Sequence, residues 1–423
     1  MKKVLAFVLA IMMLLSLVSV ATAEEKPLAG QSITVLYMSS VYADAARALA
    51  PEFEEATGCA VEVVDFPYLT LHERALLDLT SGGEAAFDVI NVASQWDGEF
   101  YPFLTDLGPY IERDDYDMTV WIENILNNAG LWNDTYIGIP NNCTPQVFAY
   151  RTDIFPDGLP DNWADYTQAC IDATTDEIYG CTISEISGQL GGVFDYRLWS
   201  AGGNWADSDW NVTINSDISR EQLELLYKLN KEAMDPANLA WGTDESIQAF
   251  LDGRAAVCET WPTLGLIQAA DDPEQSKVVG KWALSTIPYE ETGITLLSAW
   301  DLAIPANSSN KEAAWEWIKA FTEEETQQRF YEEFGFFTPR KSFWEQDSIK
   351  NSPLYELRTA LDTANMWWRI AASVEADTVI NTVVSSYLSD QITIDETLVL
   401  LEEGLQEALL NSPPDEGIKN LNH

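Results

Sequence analysis

Apolar and polar positions along the first hundred residues switch between two periods. Ile33–Met38, apolar but for Thr34, has the length and composition of a buried strand. From about Ala43 to Ala56 the apolar positions recur at helical spacing. Thr57-Gly58 then offers a glycine able to take the left-handed conformation that closes a helix. Ala60–Phe66 predicts a second strand, Thr70–Leu79 a second helix with Gly82-Gly83 behind it, and Phe87–Ala93 a third strand. The order β-α-β-α-β implies a parallel sheet with helices on its faces, the α/β class. Ligands of such sheets sit beyond the carboxyl ends of the strands. The residues at those ends are Ser39, Ser40 and Tyr42 after the first strand, and Gln95, Trp96, Asp97 and Glu99 after the third.

Further on, Tyr136–Pro140 and Val147–Tyr150 read as extended segments joined through Asn141 and Asn142, either an ordinary turn or a crossover presenting an amide to a ligand. A helical stretch beginning at Asp161 opens a new unit, and the helix carrying Trp199 stops at Gly202-Gly203. Asp207-x-Asp209-x-Asn211 has the start of a calcium loop, but such a loop needs glycine at its sixth position and glutamate at its twelfth. Val212 and Ile218 stand there, so the segment reads as an acidic turn before a strand at Val212–Ile214. Helices are expected at Arg220–Ala233 and Ser246–Leu251, and a strand at Ala255–Glu259, followed directly by Thr260-Trp261-Pro262. The stretch Leu296–Phe321 holds Trp300 and Asp301 within an apolar run that closes at Pro305. Ser309 and Glu312 have capping-box spacing, and Ala314, Trp317, Ile318 and Phe321 form one helical face. Trp96, Trp261 and Trp300 thus each stand near a predicted strand end, two of them beside a carboxylate. That pairing suits a polar ring, with a face to stack on and an acceptor for hydroxyls; the competing reading is that each is core. Two more bulky or cationic clusters follow, the loop ending in Arg340 and the run Trp367-Trp368-Arg369. Helical tail segments lead to frayed residues 413–423.

Charge narrows the ligand. The 423 residues carry 23 Lys and Arg against 68 Asp and Glu, a formal −45, which disfavours nucleic acid, anionic membranes and phosphorylated substrates and admits neutral or cationic ones. The two histidines, His72 and His423, leave no material for a His-based metal site or a Ser-His-Asp triad, and His72 reads as a surface residue on a helix. No metal and no cofactor is implied. Five cysteines rule out complete pairing, and Cys170 and Cys181 are the nearest two able to close a small loop. Met1-Lys2-Lys3, the apolar run Val4–Val20 and Ala21-Thr22-Ala23 form a secretory signal expected to be cleaved after Ala23. No cysteine stands at that site for a lipid anchor, which points to an exported protein in the periplasm or at the extracellular face.

The ordered segments FEEATGCAVEVV (53–64), FDVINVASQWDGEF (87–100), YIGIPNN (136–142), YRTDIF (150–155), NWADYTQA (162–169), AFLDGRAAVCETWP (249–262) and LLSAWDLAIPANSSNKEAAWEWIKAFT (296–322) resemble the extracellular solute-binding proteins of ABC importers, in the group that includes maltose- and oligosaccharide-binding members. The resemblance covers essentially the whole mature chain. It implies a two-lobed α/β fold, with lobe 1 from residues 30–145 and 288–344, lobe 2 from 146–287 and 345–412, and crossings near Thr144–Val147, Ser285–Tyr289 and Phe343–Asp347. It also implies lobe closure on a carbohydrate, an oligosaccharide in particular, and delivery by a monomer to the transmembrane subunits of a permease, without catalysis. By the resemblance Trp96, Asp97, Asn142, Trp261, Trp300 and Asp301 contact ligand, joined more loosely by Trp367, Trp368 and Arg369. Two alternatives stay open. A polyamine or other cationic solute could use the same aromatic and carboxylate groups, and a secreted glycoside hydrolase would need only a suitably spaced carboxylate pair.

Overall fold

The computed structural model describes residues 26–414, apart from 184–185, 263–264, 292 and 353; the signal segment 1–23 and the tail from 415, with His423, lie outside the described residues. Strands β1 (Ser32–Met38), β2 (Ala60–Phe66) and β3 (Val89–Ala93) run parallel and are connected by helices α1 (Val41–Thr57) and α2 (Tyr68–Leu79). The ends of α1 are set locally. The Ser40 hydroxyl accepts from the Tyr42 N–H, and Gly58, at φ 80°, turns its own N–H back to the Glu54 carbonyl.

A small hairpin, β4 (Leu131–Trp132) and β5 (Thr135–Tyr136), precedes β6 (Gly138–Pro145). Gln146 alone separates β6 from β7 (Val147–Arg151), which belongs to a different sheet with β8 (Thr182–Ile183), β9 (Val257–Thr260) and β10 (Trp282–Ser285) in the order β10-β7-β9-β8. The chain then returns. β11 (Leu297–Ala303) runs antiparallel between β3 and β6 and completes a first sheet of order β2-β1-β3-β11-β6. Asn141 and Asn142 are therefore buried inside β6 and do not form a turn. Trp300 and Asp301 lie in the middle of β11, with a register shift between them.

Each sheet has its own core. Around the first, α1 and α6 (Lys311–Thr322) bury Phe53, Trp317 and Phe321, and the Trp317 Nε1–H donates to the buried Tyr37 hydroxyl at 3.0 Å. The capping box expected at Ser309 and Glu312 does not form, because both side chains find tertiary partners. Ser309 donates to Glu84 at 2.6 Å, and Glu312 takes Arg113 at 2.8 Å. The second sheet is covered by α3 (Trp163–Ala173), α4 (Ile186–Ser200) and α5 (Asp217–Glu232). In α5, Ser216 caps the start, Asp217 and Lys231 lie at the dipole ends that suit their charges, and Leu223, Leu226 and Leu229 are buried. The strand expected at Val212–Ile214 reduces to one bridge between Ala206 and Val212, and Asp207 closes the acidic turn by accepting from the Asp209 and Asn211 N–H groups.

A third cluster lies across the base of both sheets and joins Cys143 and Leu297 to Val147 and Cys258. Phe343 and Trp344, where a crossing was expected, are instead buried in it, because large apolar rings are worth more as anchors than as a flexible link. Helix α7 (Tyr355–Thr363) packs beside Glu123–Asn128 and β6. The third passage toward the second core comes after it, at residues 364–370, where Leu297 N–H donates to the Asn365 carbonyl (2.7 Å) and Asn365 N–H to Thr295 (2.9 Å). From there the chain enters α8 (Ser373–Leu388), which packs on α4, and α9 (Ile394–Asn411), which packs on α8 and α5. No described helix is long and apolar enough to cross a membrane. All five cysteines are buried free thiols, Cys170 and Cys181 included.

The second core is organised around Glu259 on β9. Its carboxylate accepts from the Tyr166 hydroxyl (2.8 Å), the Tyr196 hydroxyl and Arg197 Nη2 (2.6 Å), and the guanidinium stacks over Trp163 at 4.2 Å. A fully buried ion pair survives desolvation only with such additional bonds. Glu259→Leu leaves Arg197 charged and unpaired in the core, and should lower the unfolding free energy by about 3–5 kcal/mol, read as a fall in the urea midpoint.

Candidate ligand cleft

The turn after β3 and the start of α2 face the beginning of α8 across a cavity of about 220 Å³. Its apolar walls are Tyr68, Trp96 and Trp367. Trp96 is almost wholly buried and is held by Tyr68 (5.1 Å between ring centroids), Phe100 (5.7 Å) and the edge of Trp300 (5.6 Å). Trp367 is partly exposed and lies tilted over Trp261 at 5.9 Å. The polar groups come in pairs one helical turn apart, which places both members on one face. Tyr68 and His72 come from α2, and Asp377 and Asn381 from α8. His72 is bonded to Glu99 at 2.7 Å and lies flat against Phe100, so it is a lining residue of the cavity and no free surface histidine. Gln95 donates to the Tyr68 hydroxyl at 2.5 Å, Asn381 Nδ2 donates to Asp377 at 2.9 Å, and the Gly191 N–H donates to Asn381 Oδ1 at 2.8 Å. A side chain at Gly191 would collide with Asp377 Oδ1.

Of the residues singled out from the sequence, the structure brings Gln95, Trp96 and Trp367 to this cavity, with Trp261 directly behind Trp367. The others serve the framework. Ser39 bonds Asp65, Ser40 caps α1, and the Tyr42 hydroxyl donates to Asn142 Oδ1 at 2.7 Å in the first core. Asn142 also donates to the Phe337 carbonyl, and Asn141 accepts from Asn91. Trp199 is buried in the second core, and Trp368 stacks on Trp205 there. Trp300 is 3% exposed, its indole N–H donating to Ser298, so it braces Trp96 from inside the sheet. Arg340 is spent on the Thr322 carbonyl and the face of Trp121, away from the cavity. Tyr68, His72, Asp377 and Asn381 are missed by the sequence reading. Their i, i+4 spacing on two helices is the signal that could have found them, although solvated helix faces share it.

Asp97, Asp301 and Arg369 form a buried group beside the cleft. Arg369 Nη2 pairs with Asp97 at 2.7 Å and also donates to the Leu131 carbonyl, Nη1 donates to the Asn127 carbonyl, and the guanidinium plane covers Trp132 at 5.1 Å. Asp301 is fully buried against Gly138, and neither of its carboxyl oxygens has a hydrogen-bond partner. One cation cannot hold two buried carboxylates ionised. Burial, reinforced by the neighbouring Asp97, pushes Asp301 well above the usual carboxylate range, so it carries the proton. Burial also raises Asp97, to about 6, with Arg369 restraining the rise. At neutral pH the group is therefore one ion pair beside one neutral carboxyl.

Comparison with known proteins follows the same lines. Residues 39–328 match the family model described as bacterial extracellular solute-binding protein. A probable amino-acid ABC transporter periplasmic-binding protein of Sinorhizobium fredii is 27% identical over 305 residues, 68% of each chain. An ABC transporter solute-binding protein from Agrobacterium radiobacter K84, solved with ribitol, superposes with a TM-score of 0.80 at 24% identity, over 90% of this chain and 99% of the other. Maltose-bound MalE3 of T. maritima gives 0.81 at 22%, over 89% and 100%. The two superpositions make the architecture that of the two-lobed solute-binding fold.

Two consequences are measurable. Trp300→Ala removes a buried indole and should cost about 3–5 kcal/mol of stability, visible in chemical unfolding without any ligand. For Asp97, the folded protein holds its proton more tightly than the unfolded chain, whose carboxyl titrates near 3.9. This contribution favours the fold fully below about pH 4 and is lost as pH rises through about 6, amounting to about 3 kcal/mol. Unfolding free energies measured from pH 4 to 7 should show that decline in the parent and a flatter profile in Asp97→Asn.

Proposed function

The chain belongs to the family of bacterial extracellular solute-binding proteins, and from that premise we propose that it captures a carbohydrate or polyol in the cavity between its lobes and hands it to an ABC permease. The observation that carries this reading is the pair of tryptophan walls, Trp96 from the first lobe and Trp367 from the passage into the second, with hydroxyl-bonding side chains between them. Sugar rings offer apolar faces to indoles and hydroxyls to carboxylates and amides, so each half of the cavity matches one half of such a ligand. The ribitol and maltose complexes of its structural neighbours agree with that chemistry. The small volume favours one or two sugar units over a long oligosaccharide.

Binding here needs no turnover. The protein acts as a receptor whose lobes, residues 30–145 with 288–363 and residues 146–287 with 364–412, close about the three passages. Ligand contacted by both lobes stabilises the closed arrangement by the difference in its affinity for the two states, and the permease reads that arrangement. We take the working form to be a monomer, exported and trimmed after Ala23.

The test is a thermal-shift and calorimetric screen of the mature protein against monosaccharides, disaccharides and polyols. A ligand present at a hundredfold excess over its dissociation constant adds about 2.7 kcal/mol of apparent stability. The expected result is one responsive saccharide or polyol class. Trp367→Ala, whose ring is partly exposed, should keep the parent's unfolding midpoint and bind that ligand about tenfold more weakly. Unchanged affinity in that variant would remove the cavity from consideration.

A further inference from the structure

We propose that Gly192 on α4 determines the size of ligand the cavity admits, by setting how far Trp367 recedes from Trp96. The inference rests on the reading of the cavity as the ligand site and adds what fixes its width. A glycine inside a helix is a weaker helix former than alanine, and its use there is to let another group approach the backbone closely. Gly191 and Gly192 stand side by side within α4. A Cβ at Gly192 would lie 2.9 Å from Trp367 Cζ2 and 2.9 Å from Cδ2 of the buried Leu296, closer than packed carbon atoms come. Trp367 lines the cavity and no described residue of α4 does, so the indole is the layer between this helix and the ligand space. The bare backbone at Gly192 lets that layer lie as deep as the helix allows.

The backbone carrying Trp367 has little room to answer an added group. Two residues earlier, Asn365 is held by its bonds to Leu297 (2.7 Å) and Thr295 (2.9 Å), and two residues later Arg369 is held by Asp97 at 2.7 Å. On the first-lobe side the passage lies against Gly98, where a Cβ would meet the Arg369 carbonyl oxygen at 2.6 Å. Trp368 is stacked on Trp205, and Trp261 stands behind the Trp367 ring at 5.9 Å. Close-packed surroundings pass added volume on to whatever is free to move. Here that is the partly exposed indole, and the space open to it is the cavity. One methyl group behind the wall therefore narrows the gap between Trp367 and Trp96, and the larger ligands lose affinity first.

The experiment is calorimetric titration of the full mature protein and its variants with ribitol, glucitol and maltitol, and with xylose, glucose and maltose, two series of increasing size. In Gly192→Ala the largest member that the parent binds should weaken by at least about tenfold, the discrimination one methylene supports in an apolar pocket, and smaller members by no more than about threefold. Adding Trp367→Phe to Gly192→Ala should recover most of that loss, because the shorter ring lacks the atom that the new methyl meets. A general disturbance of α4 would show no such coupling. Should Gly192→Ala fail to fold, Trp367→Phe alone, which widens the cavity from the same side, is expected to favour larger members over smaller by at least about threefold relative to the parent. Unchanged or uniformly lowered affinities in Gly192→Ala, a loss that Trp367→Phe does not relieve, or an unshifted size preference in Trp367→Phe alone would overturn this inference. With Trp367→Ala still weakening binding, each of these leaves the carbohydrate reading in place. Silence of every neutral sugar and polyol would overturn both.

Discussion

Where the chain leaves the first sheet for the last time, one guanidinium faces two fully buried carboxyls. Arg369 answers Asp97 and two backbone carbonyls on the first-sheet side, and the residue before it, Trp368, stacks on Trp205 in the second core. A single extended dipeptide is thereby anchored at one end by charge and at the other by an aromatic stack. The position of Trp367 in the cavity depends on both anchors. Breaking the ion pair from the arginine side would leave Asp97 buried without a cation, a costly arrangement unless it takes a proton. The cleft wall therefore owes its placement to electrostatics that never touch the ligand.

The same logic explains which features were readable beforehand. Of the parallel unit, β1 and β3 were legible as largely apolar runs because both are mostly buried, β2 as an alternating strand because it lies at the sheet edge, and Gly58 marks the end of α1 by conformational necessity. Trp96 was found for the right reason, since it follows β3 at a carboxyl end. Trp300 resembled it in sequence but sits mid-strand, and only the arrival of β3 and β6 on its two sides makes it core. Nothing local distinguishes an aspartate that faces solvent from one, such as Asp301, that is sealed beneath a sheet against a glycine. His72, Asp377 and Asn381 were hidden in a similar way. Each lies on a helix whose polar face would be unremarkable alone, and becomes a wall only because two helices from distant parts of the chain meet.

The surplus of 45 negative charges and the carboxyls buried beside the cleft are separate facts. Surface carboxylates are screened over about 10 Å at moderate salt and chiefly govern solubility and encounter. Asp97 and Asp301 are fully buried, where screening is weak. Ionic strength should accordingly act on the surface field far more than on that buried group.

Discontinuity of the two lobes has a consequence for biogenesis. The first sheet lacks the strand that joins β3 to β6 until residues 297–303 have been made, and the second core lacks two of its covering helices until 373–411 follow. A chain emerging from the ribosome thus holds no finished lobe for most of its synthesis, and its decisive pairings are among the most distant in sequence, which slows their formation. Such a polypeptide stays unfolded long enough to be threaded through an export channel, and acquires its shape on the far side.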